Sequence, residues 1–478
     1  MAHDPIAPAL AQFGARLRLQ DVPEAVRRRA RHLMLDALGC ALAARDQDYA
    51  ARLSAAVYEL GAEGAGRCAV IGFGQRLPMR EAALLNGLLC HGLDFDDTHM
   101  GGIAHLTVST LPAALAVGSR LDAAGERLLA SYIVGAECGA RIAKATRGGL
   151  TAQGFHPSAV VGAFASAMAA GHMLGLDAQQ LLAAQGTALS FASGTLEFLQ
   201  TGAWTKRLHP GWAAQSGLTA ATLGKHRIPA PPAPYCGRFG LYSSYLDGGL
   251  REAVEPALAL QGLEQLQDAR SWELMDIAVK PYPMCHFVHA GIEAATRFHQ
   301  QGVDAAQVAH VEVFVPQGVV PTVCEPVADK RRPTTDYEAK FSLPYALACG
   351  LVLGRLGLQE LQPAGFSDPR LLALMDKVHY TVDPDSSFPR HYSTHLKLTL
   401  ADGSERMERV PVNPGHGERP LPDAQIVAKF QANAALHFGA KHAQAIQDAV
   451  LGIEHGTVRG LEDLLAQEPV AARALEAA

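Results

Sequence analysis

The stretch Val22–Arg45, VPEAVRRRARHLMLDALGCALAAR, indicates the fold class of this protein. Its apolar residues recur at steps of three and four, which is the spacing of one face of an α-helix. Pro23 stands where a first helical turn tolerates proline, and arginines occupy the face opposite the apolar one. The spacing therefore predicts an amphipathic helix with one side in a core.

Similar stretches follow through the first half of the chain, and several are apolar on nearly all sides and rich in alanine and glycine. They lie at about 79–91, 110–120, 127–146, 158–174, 178–194 and 211–225. Helices of this composition are buried on most sides and pack closely through small residues. We therefore predict an all-helical bundle over residues 1–271.

The pattern changes near residue 272. Alternation of apolar and polar residues over 310–315, 377–382 and 392–400, followed by the turn Ala401–Ser404 into 406–412, predicts strands and a hairpin. Helical patterns resume over 423–438 and 442–454. We expect a mainly α protein, with a smaller α+β domain at 272–412 inserted between the helical segments 1–271 and 413–478.

Composition excludes several functional classes. The chain has 478 residues, 49% of them hydrophobic, and a formal net charge of -6 without a long basic run, which argues against a nucleic-acid partner. The start of the chain lacks the basic and apolar regions of a secretory peptide, and no apolar run is a clean span of ~20 residues. The eight cysteines form no CxxC pair, which argues against a disulfide frame, a zinc ribbon or an iron–sulfur cluster. We expect a cytoplasmic protein that binds no membrane.

The most polar stretch between helical segments is His91–His105, HGLDFDDTHMGGIAH. Ionisable groups set among apolar elements are costly unless they are paired or used. Three interpretations are open here: a helix cap at Asp97 or Thr98, a divalent metal site, and acid–base catalysis. Three histidines beside three aspartates favour proton transfer, and no HExxH or other metal-ligand spacing accompanies them.

Further polar residues precede apolar helices elsewhere in the chain. His156 stands just before a predicted helix N-terminus, where an anion is favoured. Lys206 leads into another helix, where a cation opposes the helix dipole and so points to a ligand carboxylate. Lys280 lies in a proline-rich loop and can anchor a second carboxylate, whereas Tyr345 either donates to a substrate or packs as core. These residues describe a pocket for a small polycarboxylate, and the chain has no phosphate loop or dinucleotide fingerprint.

The order of these motifs resembles that of the MmgE/PrpD family across nearly the whole chain. The motifs are LDFDDTH at 93–99, GFHPSA at 154–159, TKRLHPGWAAQSG at 205–217, KPYPMCHFVH at 280–289 and AKFSLPY at 339–345. The family includes 2-methylcitrate dehydratases, cis-aconitate decarboxylases and iminodisuccinate epimerases. The resemblance implies a helical domain built from both chain ends, an α/β lid, a homodimer, and no metal or organic cofactor.

The resemblance also assigns site residues. Those implied as catalytic are Asp94, His105 and His156, and those implied as substrate-binding are Thr98, Lys206, Lys280, Tyr345, Cys285 and His286. The position that is histidine in cis-aconitate decarboxylases falls on Cys285 here, which argues against decarboxylation.

We therefore expect a cofactor-free lyase, most of all a dehydratase of a citrate-like hydroxy acid. An iminodisuccinate-type epimerase and a cis-aconitate-type decarboxylase are the alternatives. A metal-dependent hydrolase that uses Asp94, Asp96 and Asp97 is less expected.

Overall fold

A computed structural model of the protein describes residues 4–61 and 66–468. Over these residues the protein is mainly helical, as the sequence predicts. The chain divides into two compact units. The larger unit contains the described residues up to Phe198, the segment Ala203–Ile277, and the described residues from Pro422 onward; the smaller unit contains Leu199–Gly202 and Ala278–Leu421.

The larger unit begins with a long series of helices. They are α1 (Ile6–Arg16), α2 (Glu24–Ala44), α3 (Asp48–Gly61), α4 (Met79–His91), α5 (Thr107–Arg120), α6 (Gly125–Lys144), α7 (Gly149–Ala152), α8 (Pro157–Leu174), α9 (Ala178–Ala188), α10 (Thr205–Lys225), α11 (Leu241–Ser244), α12 (Gly248–Glu252) and α13 (Pro256–Leu260). Three two-residue strands lie among them: β1 (Cys68–Ala69), β2 (Arg76–Leu77) and β3 (Thr98–His99). A fourth, β4 (Ile277–Ala278), marks the boundary between the units.

Helix α8 is central to the larger unit. It packs against α5, α6, α9 and α10, and nearly all of its residues are buried. Among the described helices it has the length and apolar composition to cross a membrane, but 89% of that window is buried inside the protein. Such burial is typical of a core helix.

Two glycines allow α4 and α10 to approach closely. A Cβ added to Gly87 would lie 2.6 Å from Gly211 Cα, and one added to Gly211 would overlap the carbonyl oxygen of Leu84. Real Cβ atoms are not tolerated at such distances, so any larger residue would push the two helices apart. This contact matters because α4 ends at His91 and α10 carries Lys206 in its first turn.

The smaller unit contains the helices α14 (His289–Gln300), α15 (Val320–Val323), α16 (Val327–Lys330), α17 (Asp336–Lys340), α18 (Leu343–Ala348), α19 (Pro363–Phe366) and α20 (Pro369–Met375), with a π-helical turn at Cys349–Leu353. Its strands are β5 (Val308–Val315), β6 (Val378–Val382), β7 (Thr394–Leu400) and β8 (Glu405–Val410). They form one sheet in the order β6-β5-β7-β8, in which β5 and β6 are parallel and the other pairs antiparallel. The predicted hairpin is confirmed, since Leu400 N–H donates to the Ser404 carbonyl (2.8 Å) across the turn that joins β7 to β8.

The last three helices belong to the larger unit: α21 (Asp423–Ala434), α22 (Ala440–Leu451) and α23 (Val458–Leu465). Helix α21 packs against α2, and Phe430 lies against Gly39 of that helix. Residues near the two ends of the chain therefore share one core.

Some predicted element boundaries are wrong. Helix α9 ends at Ala188 rather than near 194, and α10 begins at Thr205 rather than near 211. Proline in a helix interior removes a backbone hydrogen bond, but packing of α10 against α4 and α8 keeps Pro210 inside the helix. No described helix starts at Asp97 or Thr98, because the next helix begins at Thr107, so the helix-cap interpretation is also wrong.

Candidate active site

The acidic segment, defined here as His91–His105, runs from the end of α4 to the start of α5 as a tight loop. Two of its residues, Asp94 and Ile103, adopt left-handed backbone conformations with φ near 51°. Aspartate tolerates this conformation better than a β-branched residue does, and such strain concentrates at functional sites. His99 N–H donates to the Ala104 carbonyl (2.8 Å), which closes the loop. This bridge closes the turn over residues 99–104.

An ion pair joins the acidic segment to α10. Lys206 Nζ lies 2.9 Å from Asp94 Oδ1, and both side chains are more than nine-tenths buried. His105 Nε2 lies 3.9 Å from the same oxygen. A cation, a carboxylate and an imidazole therefore meet at one position, where they can hold an anionic group and exchange a proton with it.

His156 brings a further imidazole to this position from the N-cap of α8. Its Nδ1 lies 3.0 Å from His209 Nδ1, and its ring centroid lies 5.7 Å from that of His91 and 6.1 Å from that of His105. We call these four residues, His91, His105, His156 and His209, the histidine cluster.

Burial keeps three members of the histidine cluster uncharged. It lowers the pKa of His91 to about 4, against the attraction of Asp96, which raises it. Burial likewise lowers the pKa of His209 to about 4 and that of His156 well below its usual range, and the positive charge of Lys206 acts in the same direction. At neutral pH these rings are therefore uncharged, and each has a lone pair that can accept a hydrogen bond or a proton from a bound group.

Asp96 lies between two members of the cluster and is fully buried. Its carboxylate oxygens lie 2.9 and 3.0 Å from His91 Nδ1, and Oδ2 lies 3.2 Å from His105 Nδ1. Burial opposes ionisation, but attraction and hydrogen bonds from both histidines outweigh it and hold the pKa of Asp96 well below its usual range. Asp96 is therefore a carboxylate that faces two imidazoles.

Three other helices hold the acidic segment in place. Arg207 of α10 donates from Nε to the Gly92 carbonyl (2.9 Å), and the Ser158 hydroxyl of α8 accepts from His105 N–H (2.9 Å). Lys429 of α21 donates to the Phe95 carbonyl (2.7 Å). The loop is thus fixed by residues far apart in the sequence, which favours a pre-organised site.

The same donor atoms have the chemistry of metal ligands. One donor atom from each of His91, His105 and His156 lies within 4.8 Å of the others, and Asp94 and Asp96 form a second such group with His91 and His105. The Lys206 ammonium already faces Asp94 at 2.9 Å, and a divalent cation beside it would meet strong charge repulsion. The residues fit proton transfer better than they fit a cation, and the expectation that no metal binds stays a prediction.

The remaining predicted residues, Lys280, Cys285, His286 and Tyr345, belong to the smaller unit. Lys280 is buried, and Cys285 N–H donates to the Lys340 carbonyl (3.0 Å). His286 Nε2 lies 3.2 Å from the Pro414 carbonyl oxygen. The Tyr345 hydroxyl donates to the Glu360 carbonyl, so it must exchange that bond before it can donate to a substrate.

The larger unit brings together the predicted residues Asp94, Thr98, His105, His156 and Lys206; Thr98 Oγ1 lies 3.4 Å from His105 Nδ1. The site assignment from sequence omitted His91, Asp96 and His209. A signal for His209 was available, since it follows Lys206 by three residues and so shares its helix face. No sequence spacing indicates that Asp96 faces two histidines, because this depends on the left-handed turn at Asp94.

Two protein-family models match most of the chain. The MmgE/PrpD N-terminal domain matches residues 8–253, and the MmgE/PrpD C-terminal domain matches residues 282–455. The chain belongs to the MmgE/PrpD family. The prediction made from the five motifs is confirmed.

Several MmgE/PrpD proteins are similar to the chain. The cis-aconitate decarboxylase-like protein oryM of Aspergillus oryzae is 26% identical, with 96% of each chain covered. A cis-aconitate decarboxylase of Mus musculus is 30% identical over 75% of this chain and 72% of its own. A 2-methylcitrate dehydratase of Cupriavidus necator is 29% identical over 36% of this chain and 37% of its own.

Proposed function

We propose that this MmgE/PrpD protein is a lyase that transfers protons next to a carboxylate of a small di- or tricarboxylate, without a metal or organic cofactor. The observation that carries the proposal is the buried cluster in which neutral imidazoles lie beside the Lys206–Asp94 pair. Removal of a proton next to a carboxylate creates enolate-like charge, which requires a nearby base and a cation. The histidine cluster supplies the base, and Lys206 supplies the cation.

The leading reaction is dehydration of a citrate-like hydroxy acid. A base of the cluster removes the proton from the carbon beside one carboxylate, the C–O bond breaks, and the hydroxyl leaves as water with a proton from an acid. We assign proton transfer to Asp94, His105 and His156, and substrate binding to Lys206 and Thr98. In this proposal the smaller unit acts as a lid that supplies Lys280, Cys285, His286 and Tyr345, and the protein is a homodimer.

Decarboxylation is the second candidate, and the comparisons favour it. The relatives that match nearly the whole chain are named for cis-aconitate decarboxylase, whereas the matched 2-methylcitrate dehydratase covers about a third of it. In a decarboxylation the C–C bond to one carboxylate breaks, carbon dioxide leaves, and an acid protonates the substrate carbon. The same cluster serves this reaction, because its imidazoles can return a proton as well as remove one.

A substrate screen with three readouts tests the proposal. The purified protein is incubated in deuterated water with citrate, 2-methylcitrate, cis-aconitate and iminodisuccinate. A new conjugated double bond indicates dehydration, release of carbon dioxide indicates decarboxylation, and deuterium exchange without either product indicates an epimerase. We expect alkene formation from a hydroxy acid. The lyase proposal is overturned if the protein only exchanges deuterium or leaves all four acids unchanged.

Metal dependence is tested on the active preparation. We expect full activity after dialysis against a strong chelator, because the proposed chemistry uses side chains alone. If activity is lost and added divalent metal restores it, the histidine cluster, with Asp94 and Asp96, holds a cation instead.

A further inference from the structure

Asp96 stands apart from the residues assigned above, because it is fully buried and faces two histidines rather than the Lys206–Asp94 pair. It lies between His91 and His105, within hydrogen-bond distance of Nδ1 of each ring. A carboxylate accepts hydrogen bonds and donates none. The nitrogen that each imidazole turns toward Asp96 must therefore carry the proton.

The surroundings of His105 lead to the same tautomer. Besides Asp96, its Nδ1 faces the Asp97 carbonyl oxygen at 2.6 Å, which is also an acceptor, whereas the Thr98 hydroxyl, which could donate instead, is farther away at 3.4 Å. A lone pair at Nδ1 would be repelled by both oxygens, so Nδ1 carries the hydrogen. A lone pair on this ring is then at Nε2, the atom that lies 3.9 Å from Asp94.

The two ring nitrogens of His91 have different surroundings. Its Nδ1 faces both oxygens of Asp96, while its Nε2 is buried and has no hydrogen-bond partner among the described residues. A buried acceptor without a partner is costly unless it is used. His91 belongs to the same group of converging residues as His105 and His156, and the unpartnered lone pair on its Nε2 can accept a proton.

We propose that Asp96 is a positioning residue that locks His91 and His105 in the Nδ1–H tautomer, so that both rings keep their lone pair on Nε2, the nitrogen that does not face Asp96. The tautomer assignment is independent of the reaction, whereas its catalytic use rests on the proposed function. His91 thereby becomes a second proton acceptor beside His105.

The variant Asp96→Asn is expected to change the tautomer of His91 and to leave that of His105 unchanged. An asparagine side chain has one acceptor and one donor group, so it cannot accept from both Nδ1–H groups. His105 keeps its proton because the Asp97 carbonyl remains its acceptor. His91 has no such second acceptor in the described chain, so its proton moves to Nε2 and the amide donates to Nδ1. The lone pair on His91 Nε2 is then replaced by an N–H donor.

The experiment combines spectra and kinetics on the full-length protein. Histidine is labelled with ¹⁵N, and the His91 and His105 signals are assigned from the spectra of His91→Gln and His105→Gln. We expect both residues to be Nδ1–H tautomers in the wild type, and His91 alone to change to Nε2–H in Asp96→Asn. On the substrate found in the screen, we expect kcat to fall about 100-fold or more, with little change in KM.

Asp97→Asn is the matched control. Asp97 is equally buried and adjacent in sequence, but its carboxylate forms no hydrogen bond or ion pair with either histidine in the described chain. We expect it to leave both tautomers and kcat near their wild-type values.

Three results overturn the proposal, and all differ from failure of the lyase assignment. A wild-type spectrum with His91 or His105 as the Nε2–H tautomer overturns it without any variant, so the test does not depend on folding of Asp96→Asn. Unchanged tautomers in a folded Asp96→Asn overturn the positioning role. A changed tautomer with unchanged kcat overturns its catalytic use. If the wild type acts on none of the acids, the lyase assignment fails while the spectra still test Asp96.

Discussion

Asp94 combines an unusual backbone conformation with contacts to a lysine and a histidine. Its left-handed conformation turns the acidic segment, and its Oδ1 faces both Lys206 and His105. One side chain therefore sets the position of the lysine and the electrostatic environment of the imidazole.

Asp94→Asn keeps the backbone conformation, because asparagine is also favoured at positive φ, but it removes the charge. We expect activity to fall about 10²–10⁴-fold, and a similar loss in His105→Ala, since acid–base groups contribute on that scale. Asp122→Asn is the control, because Asp122 shares the left-handed conformation (φ 47°) and is exposed. Steady-state rates on the true substrate measure the effect; near-full activity in both site variants would remove these residues from the mechanism.

His91 makes stability depend on pH. Its pKa in the folded protein is about 4, below the ordinary value of 6.5. At pH 5 the unfolded chain binds a proton there that the folded chain does not, so stability falls as the pH is lowered. For one such group the loss between pH 7 and pH 5 is about 2 kcal/mol.

Urea unfolding at the two pH values measures this dependence. We expect His91→Gln to lose about 2 kcal/mol less than the wild type between pH 7 and pH 5, whatever its stability at pH 7. His226→Gln, at an exposed position, should show the wild-type difference. Equal losses in His91→Gln and the wild type would show that His91 titrates normally in the folded protein.

At the scale of elements, α21 supports the acidic segment from the far end of the sequence. Lys429 Nζ lies 2.6 Å from Asp36 Oδ1 of α2 and 3.8 Å from the centre of the Phe95 ring, and it donates to the Phe95 carbonyl. Burial raises the pKa of Asp36, and the Lys429 charge opposes that rise. One ammonium thus connects two helices and the loop that carries Asp94 and Asp96.

Lys429→Met removes that charge and leaves Asp36 buried without its cation. Breaking a buried ion pair on one side costs about 3–5 kcal/mol, so we expect the urea midpoint to fall strongly and activity to fall with it. Lys441→Met, at an exposed lysine of α22, should change stability by less than about 0.5 kcal/mol. Similar midpoints for the two variants would show that Lys429 supports neither the helices nor the loop.

At the scale of the whole molecule, the last helices complete a core that the first helices begin. Phe430 of α21 is fully buried and lies against Gly39 of α2. The core of the larger unit is therefore complete only with helices that follow the smaller unit in the sequence. Whether the smaller unit acts as a lid stays a prediction.

Phe430→Ala should destabilise the larger unit by about 3–5 kcal/mol, because it deletes a buried aromatic ring and leaves a cavity. Leu436→Ala is the control in the same C-terminal segment, since Leu436 is 52% exposed, and we expect a change within about 0.5 kcal/mol. Chemical denaturation followed by tryptophan fluorescence measures both. A small effect of Phe430→Ala would show that the contact between the chain ends contributes little to stability.

The sequence by itself determined the helical class, the strands of the small sheet and the family. Periodicity and turn chemistry are local, so α2, α4, α8 and the hairpin between β7 and β8 could be read directly from the residues. The motifs also predicted Asp94, His105, His156 and Lys206 as site residues, and the structure places these side chains close together. Each of these residues lies beside a helix end, where local sequence marks it.

Only the tertiary structure decided how these residues interact. The start of α10 depends on packing that overrides a proline, and the pairing of Lys206 with Asp94 joins elements more than a hundred residues apart. The double contact of Asp96 depends on a left-handed turn and on loop closure. Hydrogen bonds and charge effects act through space over a few ångströms, and the residues that come within that range are set by packing of the whole chain.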